Sequence, residues 1–426
     1  MNKYTVVCFF VIIVSVSLIG CGASGQVAKS NLSQDEKNKI ISESTQALQN
    51  ESRKVIVDEF NKLGWELLKI NAEASFPQNI IISPTSISIA LSMVFIGTDG
   101  ETKTEMERAL GWDKFEMQTL NSVNSALNNV LNYTDDSVTF KLGNSLWGDK
   151  SVIWEQDFLQ TIQKTYRAKC ETLDFKDPNT VKVVNEWVKE ATSGKIPSIV
   201  DQFKDDTVAM LINAIYFKGI WADKFNPNIT QEHEFTLVNG EKTTCQMMRR
   251  TSSYSYTETE NCKVIALPYQ NKRYQMIVFL PAKEFDIYSF MKTLTYETLN
   301  RWIHKMSHEE VRLMLPRFKF EFSTSLVDAL KQLGINKAFS LQADLSKMGR
   351  TKLLPLYLSD AIHKTYIEVN EEGTEAAAVT GMEVGAASDP GEPKEFIADK
   401  PFLFLIRDTQ TELIHFTGIV LNPNNP

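Results

Sequence analysis

The residues whose types and spacing are best suited to chemistry lie between Glu371 and Glu392, and the chemistry is that of a backbone. Side chains along an extended strand alternate between faces. With Thr374 facing inward, the inward set is Thr374, Ala376, Ala378, Thr380, Met382, Val384 and Ala386, with no charge and no proline. Glu375 and Glu383 fall on the other face. Such a segment can pass from exposed bait to buried strand. By composition alone it also reads as an exposed Ala-rich linker with some helical propensity. Rival constellations are weak: the chain has no Gly-x-Ser-x-Gly elbow, no phosphate-cradling glycine loop and no Cys-x-x-Cys pair. His304 and His308 have helical i, i+4 spacing, but the run from His308 to Arg312 lacks the second histidine of a zinc-protease motif. A surface helix is expected there, and no catalytic residue, metal or cofactor is expected anywhere.

The elements that must position this segment are mixed. Ser33 and Glu36 have the spacing of a capping box, so a helix is expected to begin there. Ser44 to Leu68 carries apolar residues at helical intervals and reads as the first long helix. Ser83-Pro84 opens another, with proline where its missing N–H costs little. Ile215-Tyr216-Phe217 and Tyr274 to Leu280 are β-branched and aromatic, and read as strands. The pattern predicts an α+β fold. No Pro-, Gly- or Ser-rich linker divides the body of the 426-residue chain, and 43% hydrophobic content supplies a large core, so one domain is expected over 37–426.

Lys3 and the apolar run Val6 to Leu18 look like a secretory signal, too short for a comfortable membrane span. Leu18-Ile19-Gly20-Cys21 then resembles the lipobox of bacterial lipoproteins, which implies cleavage after residue 20 and lipid attachment at Cys21. An ordinary signal cleaved near Ala23 or Ser24, or an uncleaved anchor, is the alternative. The expectation is a signal peptide over 1–20, a lipidated N-terminus and polar tether over 21–36, and a chain exported and lipid-anchored to a bacterial membrane or cell surface. Loss of 1–20 removes one lysine and takes the formal charge from −8 to −9. That acidity disfavours nucleic acid and anionic lipid head groups, so membrane contact should come through the lipid. Cys170, Cys245 and Cys262 are an odd set and are expected as free or buried thiols.

A set of motifs in order along the chain resembles the serpins, the serine protease inhibitor superfamily. They are Asn79 to Leu91, Asn185-Glu186-Trp187-Val188 with Thr192 to Ile196, Leu211 to Trp221, Leu315-Pro316-Arg317-Phe318, His363-Lys364-Thr365, and Lys400 to Phe404 with Phe416-Thr417-Gly418. The resemblance implies three β-sheets, about nine helices and an exposed reactive loop over about 371–396. It implies a hinge at Glu371, Gly373, Thr374, Glu375, Ala376, Ala377 and Ala378, with Gly373 as the joint and Thr374 as the first side chain to enter the sheet. It further implies a polar shutter of Ser83, Ser86, Asn213 and His363, and a breach of Trp221, Arg317 and Glu371 closed by an Arg317–Glu371 ion pair. His363 taken alone reads as a satisfied core histidine. Counting the family's usual spacing from Gly373 puts the reactive bond at Ala387-Ser388. The stretch to Lys400 is a few residues longer than usual, so Ala386-Ala387 and Val384-Gly385 stay open.

An inhibitor of this family traps its target as an acyl-enzyme by inserting the cleaved loop into the central sheet; it is not an enzyme. No Lys or Arg lies between Thr374 and Pro393, which excludes a trypsin-like pocket. Ala387, Ala386 and Val384 suit the shallow pockets of elastase- or subtilisin-like serine proteases, and a cysteine protease of similar preference stays open. The expected partner is such a protease, in covalent complex with a monomer. The competing reading is a noninhibitory serpin-fold surface binding lipoprotein.

Overall fold

The computed structural model describes residues 32–283, 285–352, 355–374 and 392–425. The first helix, α1 (Gln34–Leu48), is started by Ser33: its N–H donates to the Glu36 carboxylate at 2.7 Å, and its Oγ accepts the Glu36 N–H at 3.3 Å. Helix therefore begins inside the stretch assigned to the tether. The single helix expected from Ser44 to Leu68 is two. A second, α2 (Glu51–Ala74), restarts at Asn50, whose side-chain oxygen accepts the Ser52 N–H at 3.1 Å in place of a helical bond. Pro84–Phe95 forms α3, capped by Ser83 and opened by Pro84, and every residue of it is buried. Gly64 of α2 permits this, because a β-carbon there would collide with Pro84.

Ten α-helices and three sheets of nine, six and two strands are present among the described residues, an α+β architecture. The nine-stranded sheet runs from Ile80–Ile82 through Ile414–Val420, Phe402–Asp408 and Tyr274–Pro281 to Lys394–Ile397 at its far edge. The six-stranded sheet contains β1 (Val138–Asp149), β2 (Lys169–Leu173), β3 (Ala209–Ile220), β4 (Phe318–Ser325), β5 (Asp360–Asn370) and β6 (Gly373–Thr374). Its order is β4-β5-β6-β3-β1-β2. The larger apolar core includes Ile215, Phe217, Phe279 and Phe416, and so joins residues of the two large sheets. A second cluster joins Trp147, Met210, Ile212, Tyr216 and Tyr366 of the six-stranded sheet to Val184 and Val188 of α4 (Asn179–Ala191). Residues of β3 alternate between the two clusters, as a strand buried on both faces requires.

His304 ends the helix Tyr296–His304, and His308 lies in the strand Ser307–Pro316, so the helical spacing of the pair is not realised. His304 instead meets Glu412 at 2.9 Å. No group of three or more metal-ligating side chains occurs among the described residues. Cys170, Cys245 and Cys262 are free thiols, and burial pushes Cys245 up to about 11. No helix among the described residues is long and apolar enough to cross a membrane. Residues 1–31, with the signal and Cys21, lie outside the described residues, as do Glu375, Ala376, Ala377, Ala378, Ala387 and Ser388.

Candidate functional site

Strands β3 and β5 run parallel and are paired directly from Met210↔Asp360 to Tyr216↔Tyr366. Above that rung β6 lies between them, antiparallel to both: Thr374 is opposite Gly219 and Val369, and Gly373 is opposite Ile220 and Asn370. Thr374 is fully buried, and its hydroxyl meets the Tyr269 hydroxyl at 2.8 Å. Sequence reasoning made Thr374 the first residue to enter the sheet on insertion; here it already sits in it. Glu371 and Glu372 are buried as well, so the described start of the 371–396 span is pinned rather than exposed. Gly373 is more than a joint. Its φ is +155°, and a β-carbon would run into the Gly219 carbonyl, so no other residue fits this approach of three strands.

The upper end of this fork is held by charge. Arg317 Nε donates to both Glu371 oxygens at 2.7 Å, and Thr230 Oγ1 donates to Oε1 at 2.5 Å. Burial acts to raise the Glu371 pKa, but the Arg317 and Thr230 bonds outweigh it, and the carboxyl titrates below its ordinary value. Lys224 meets Glu372 at 2.6 Å. Trp221 stacks on Tyr269, ring centres 4.7 Å apart and planes at 8°, while its indole N–H donates to the Asn370 carbonyl at 2.9 Å. The backbone N–H groups of Trp221 and Phe225 donate to the carbonyls of Glu372 and Glu371. The structure thus brings Trp221, Arg317 and Glu371 to one place.

Lower on the same seam the contacts are neutral. Asn144, Asn213 and His363 form one rung across β1, β3 and β5. The Ser83 backbone N–H donates to His363 Nε2 at 3.1 Å, which fixes that nitrogen as acceptor and makes Nδ1 the donor to Asn213 Oδ1 at 2.5 Å. Asn213 Nδ2 is shared among Ser86 Oγ, the Ser86 carbonyl and Asn144 Oδ1. Burial depresses the His363 pKa to about 3, so the imidazole is neutral. The N-terminus of α3 supplies Ser83 and Ser86 beneath strands β3 and β5, and all four sequence-named residues meet.

Sequence reasoning missed Asn144, Thr230, Lys224 and Tyr269. Asn144 carried a signal: it is the polar break in the alternating set Val138, Phe140, Leu142, Leu146. Nothing local marks the other three, which reach the hinge only through the fold.

A family model described as serpin (serine protease inhibitor) matches residues 58–423. The leukocyte elastase inhibitor of Sus scrofa is 38% identical over 371 residues, covering 84% of this chain and 97% of the relative. That of Homo sapiens is 38% identical over 362 residues, covering 81% and 93%. Among solved structures, the thermophilic serpin Tengpin in its native state matches with a TM-score of 0.80 at 32% identity, over 85% of this chain and 94% of its own. Human thyroxine-binding globulin, complexed with thyroxine, matches at 0.78 and 27%, over 87% and 99%. With the fold, the matched span and these identities in agreement, the chain belongs to the serpins, a family of protease inhibitors and not of enzymes.

Proposed function

We propose that this serpin is a suicide-type inhibitor of elastase- or subtilisin-like serine endopeptidases, which traps the acyl-enzyme by drawing its cleaved loop into the central sheet. The observation that carries the reading is β6, two residues already seated between parallel neighbours. If that strand lengthens in the same register, residue 377 falls between Tyr216 and Tyr366, and residue 380 between Asn213 and His363. The sequence supplies Ala377 and Thr380 there, a methyl opposite two bulky rings and a hydroxyl opposite two polar groups. The uncharged inward set from Thr374 to Ala386 supports burial of the whole segment.

The reactive bond is assigned to Ala387-Ser388, with Ala387 filling a shallow apolar pocket. The elastase inhibitors among the relatives favour the same target class. The lipobox-like Leu18 to Cys21 further supports export and anchoring through a lipid on Cys21. Incubation with pancreatic elastase and subtilisin, followed by denaturing electrophoresis and mass spectrometry of the released peptide, tests the assignment. A detergent-stable covalent complex with a cut after Ala387 is expected. Cleavage or indifference without a complex overturns inhibition and leaves a binding protein.

A further inference from the structure

The rung where β3 and β5 last touch directly below β6 is Tyr216↔Tyr366, and it is the first that a lengthening strand must part. On the face of the sheet beside α4 the two rings lie 6.1 Å apart, tilted by 54°. Lys195 belongs to neither strand. It comes from the turn after α4, where Ser193 and Gly194 adopt φ of +54° and +83°. Its ammonium lies 5.9 Å from the Tyr216 ring centre and 5.8 Å from that of Tyr366. Both rings are more than nine-tenths buried. A cation within about 6 Å of an aromatic face is attracted by the ring quadrupole, more strongly where water is displaced. Tyr366 is fixed from two further sides: its hydroxyl donates to Glu368 at 2.7 Å, and Lys319 of β4 lies 5.8 Å from its ring.

We propose that Lys195 bridges Tyr216 and Tyr366 across the seam as a positioning trio, and that breaking this bridge limits how fast the cleaved loop enters the sheet. The inference rests on the insertion reading above. Neighbouring strands are about 4.8 Å apart, so a strand admitted between β3 and β5 doubles their separation to roughly 9.6 Å. The two rings then move apart, and one ammonium covers at most one of them. The bridge therefore stabilises the uncleaved form and is lost in the inserted form. A closure that is slow to open guards against premature insertion, but it also gives an acyl-enzyme time to hydrolyse. The trio thus sets the balance between trapping a protease and being consumed by it.

The test uses Lys195→Met, which keeps the aliphatic stem and removes the cation, together with Tyr366→Leu and the ring-preserving Tyr366→Phe. Thermal midpoints are read for uncleaved and loop-cleaved protein, and insertion is timed by rapid-mixing fluorescence of a loop-labelled protein after mixing with protease. Lys195→Met and Tyr366→Leu should lower the midpoint of the uncleaved form only, and should speed insertion on the order of threefold to tenfold. Tyr366→Phe should keep wild-type insertion kinetics. Equal falls in both forms, or unchanged insertion, would show packing alone and overturn the bridge. A wild type that gains nothing on cleavage would overturn the insertion reading itself, whereas a wild type that gains while Lys195→Met inserts at its rate overturns the bridge alone.

Discussion

The seam between β3 and β5 is held at two levels by different chemistry. At its upper end Arg317 pairs with Glu371, and Lys224 with Glu372, with the cations 43% and 34% exposed. Lower down, Ser83, Ser86, Asn213 and His363 are fully buried and neutral. Parting the upper pairs returns the part-exposed cations to water, and buried Glu371 keeps the Thr230 hydroxyl as a partner, which limits the loss. Parting the lower rung strands amide, imidazole and hydroxyl groups in a dry interior, where an unmade hydrogen bond costs far more. The upper end, where β6 already lies between the two strands, is thus the cheaper level to part, and the polar rung is the costlier one.

Acid should separate the two levels most. Burial lowers the pKa of His363 to about 3 and of His415, wedged between Phe140 and Tyr274, to about 4. Below the ordinary histidine value of 6.5 the unfolded chain takes up protons that the folded protein refuses. Stability is therefore complete above pH 6.5 and falls as pH drops toward 4 and then 3, by about 1.4 kcal/mol per pH unit for each histidine. Glu371 has a lowered pKa, so its contribution is lost only as pH falls below the carboxylate range. Denaturant titrations from pH 7 to 4 should show stability falling well before Glu371 can protonate. A flat profile down to pH 4.5 would place the histidines in wetter surroundings than the geometry describes.

Asn213→Ala comes next in size. It leaves the His363 Nδ1–H, Ser86 Oγ and Asn144 without their shared partner, and a loss of about 3 kcal/mol is expected from guanidinium unfolding. Arg317→Gln, which leaves buried Glu371 with Thr230 and a neutral amide as partners, should cost about 2 kcal/mol, and less in high salt. If the second substitution costs more than the first, the ranking of the two levels is reversed.

Much of this site was legible because its residues sit in motifs with fixed spacing. Ser83 before Pro84 announces a helix cap, and the same serine then presents its N–H to His363. The inward facing of Thr374 follows from strand alternation alone, and Thr374 is the one member of the inward set among the described residues. What escaped was long-range or competitive. Tyr269 reaches Thr374 across 105 residues of chain, and Thr230 reaches Glu371 across 141, distances that no local pattern encodes. The break at Asn50 escaped because apolar periodicity continues through it, while a single side-chain bond decides where the helix restarts. The i, i+4 histidines misled for the opposite reason: their spacing is helical, but the chain turns at Lys305 and pairs as a strand.

Thermal unfolding before and after limited elastase cleavage tests the claim that the seam accepts the cleaved loop as a further strand. The claim predicts that the cut protein melts well above the intact one. It also predicts that Thr374→Arg, which forces a charge beside Tyr269 in a fully buried position, abolishes the rise and turns the inhibitor into a substrate. An unchanged or lower midpoint for the cut wild-type protein would contradict it.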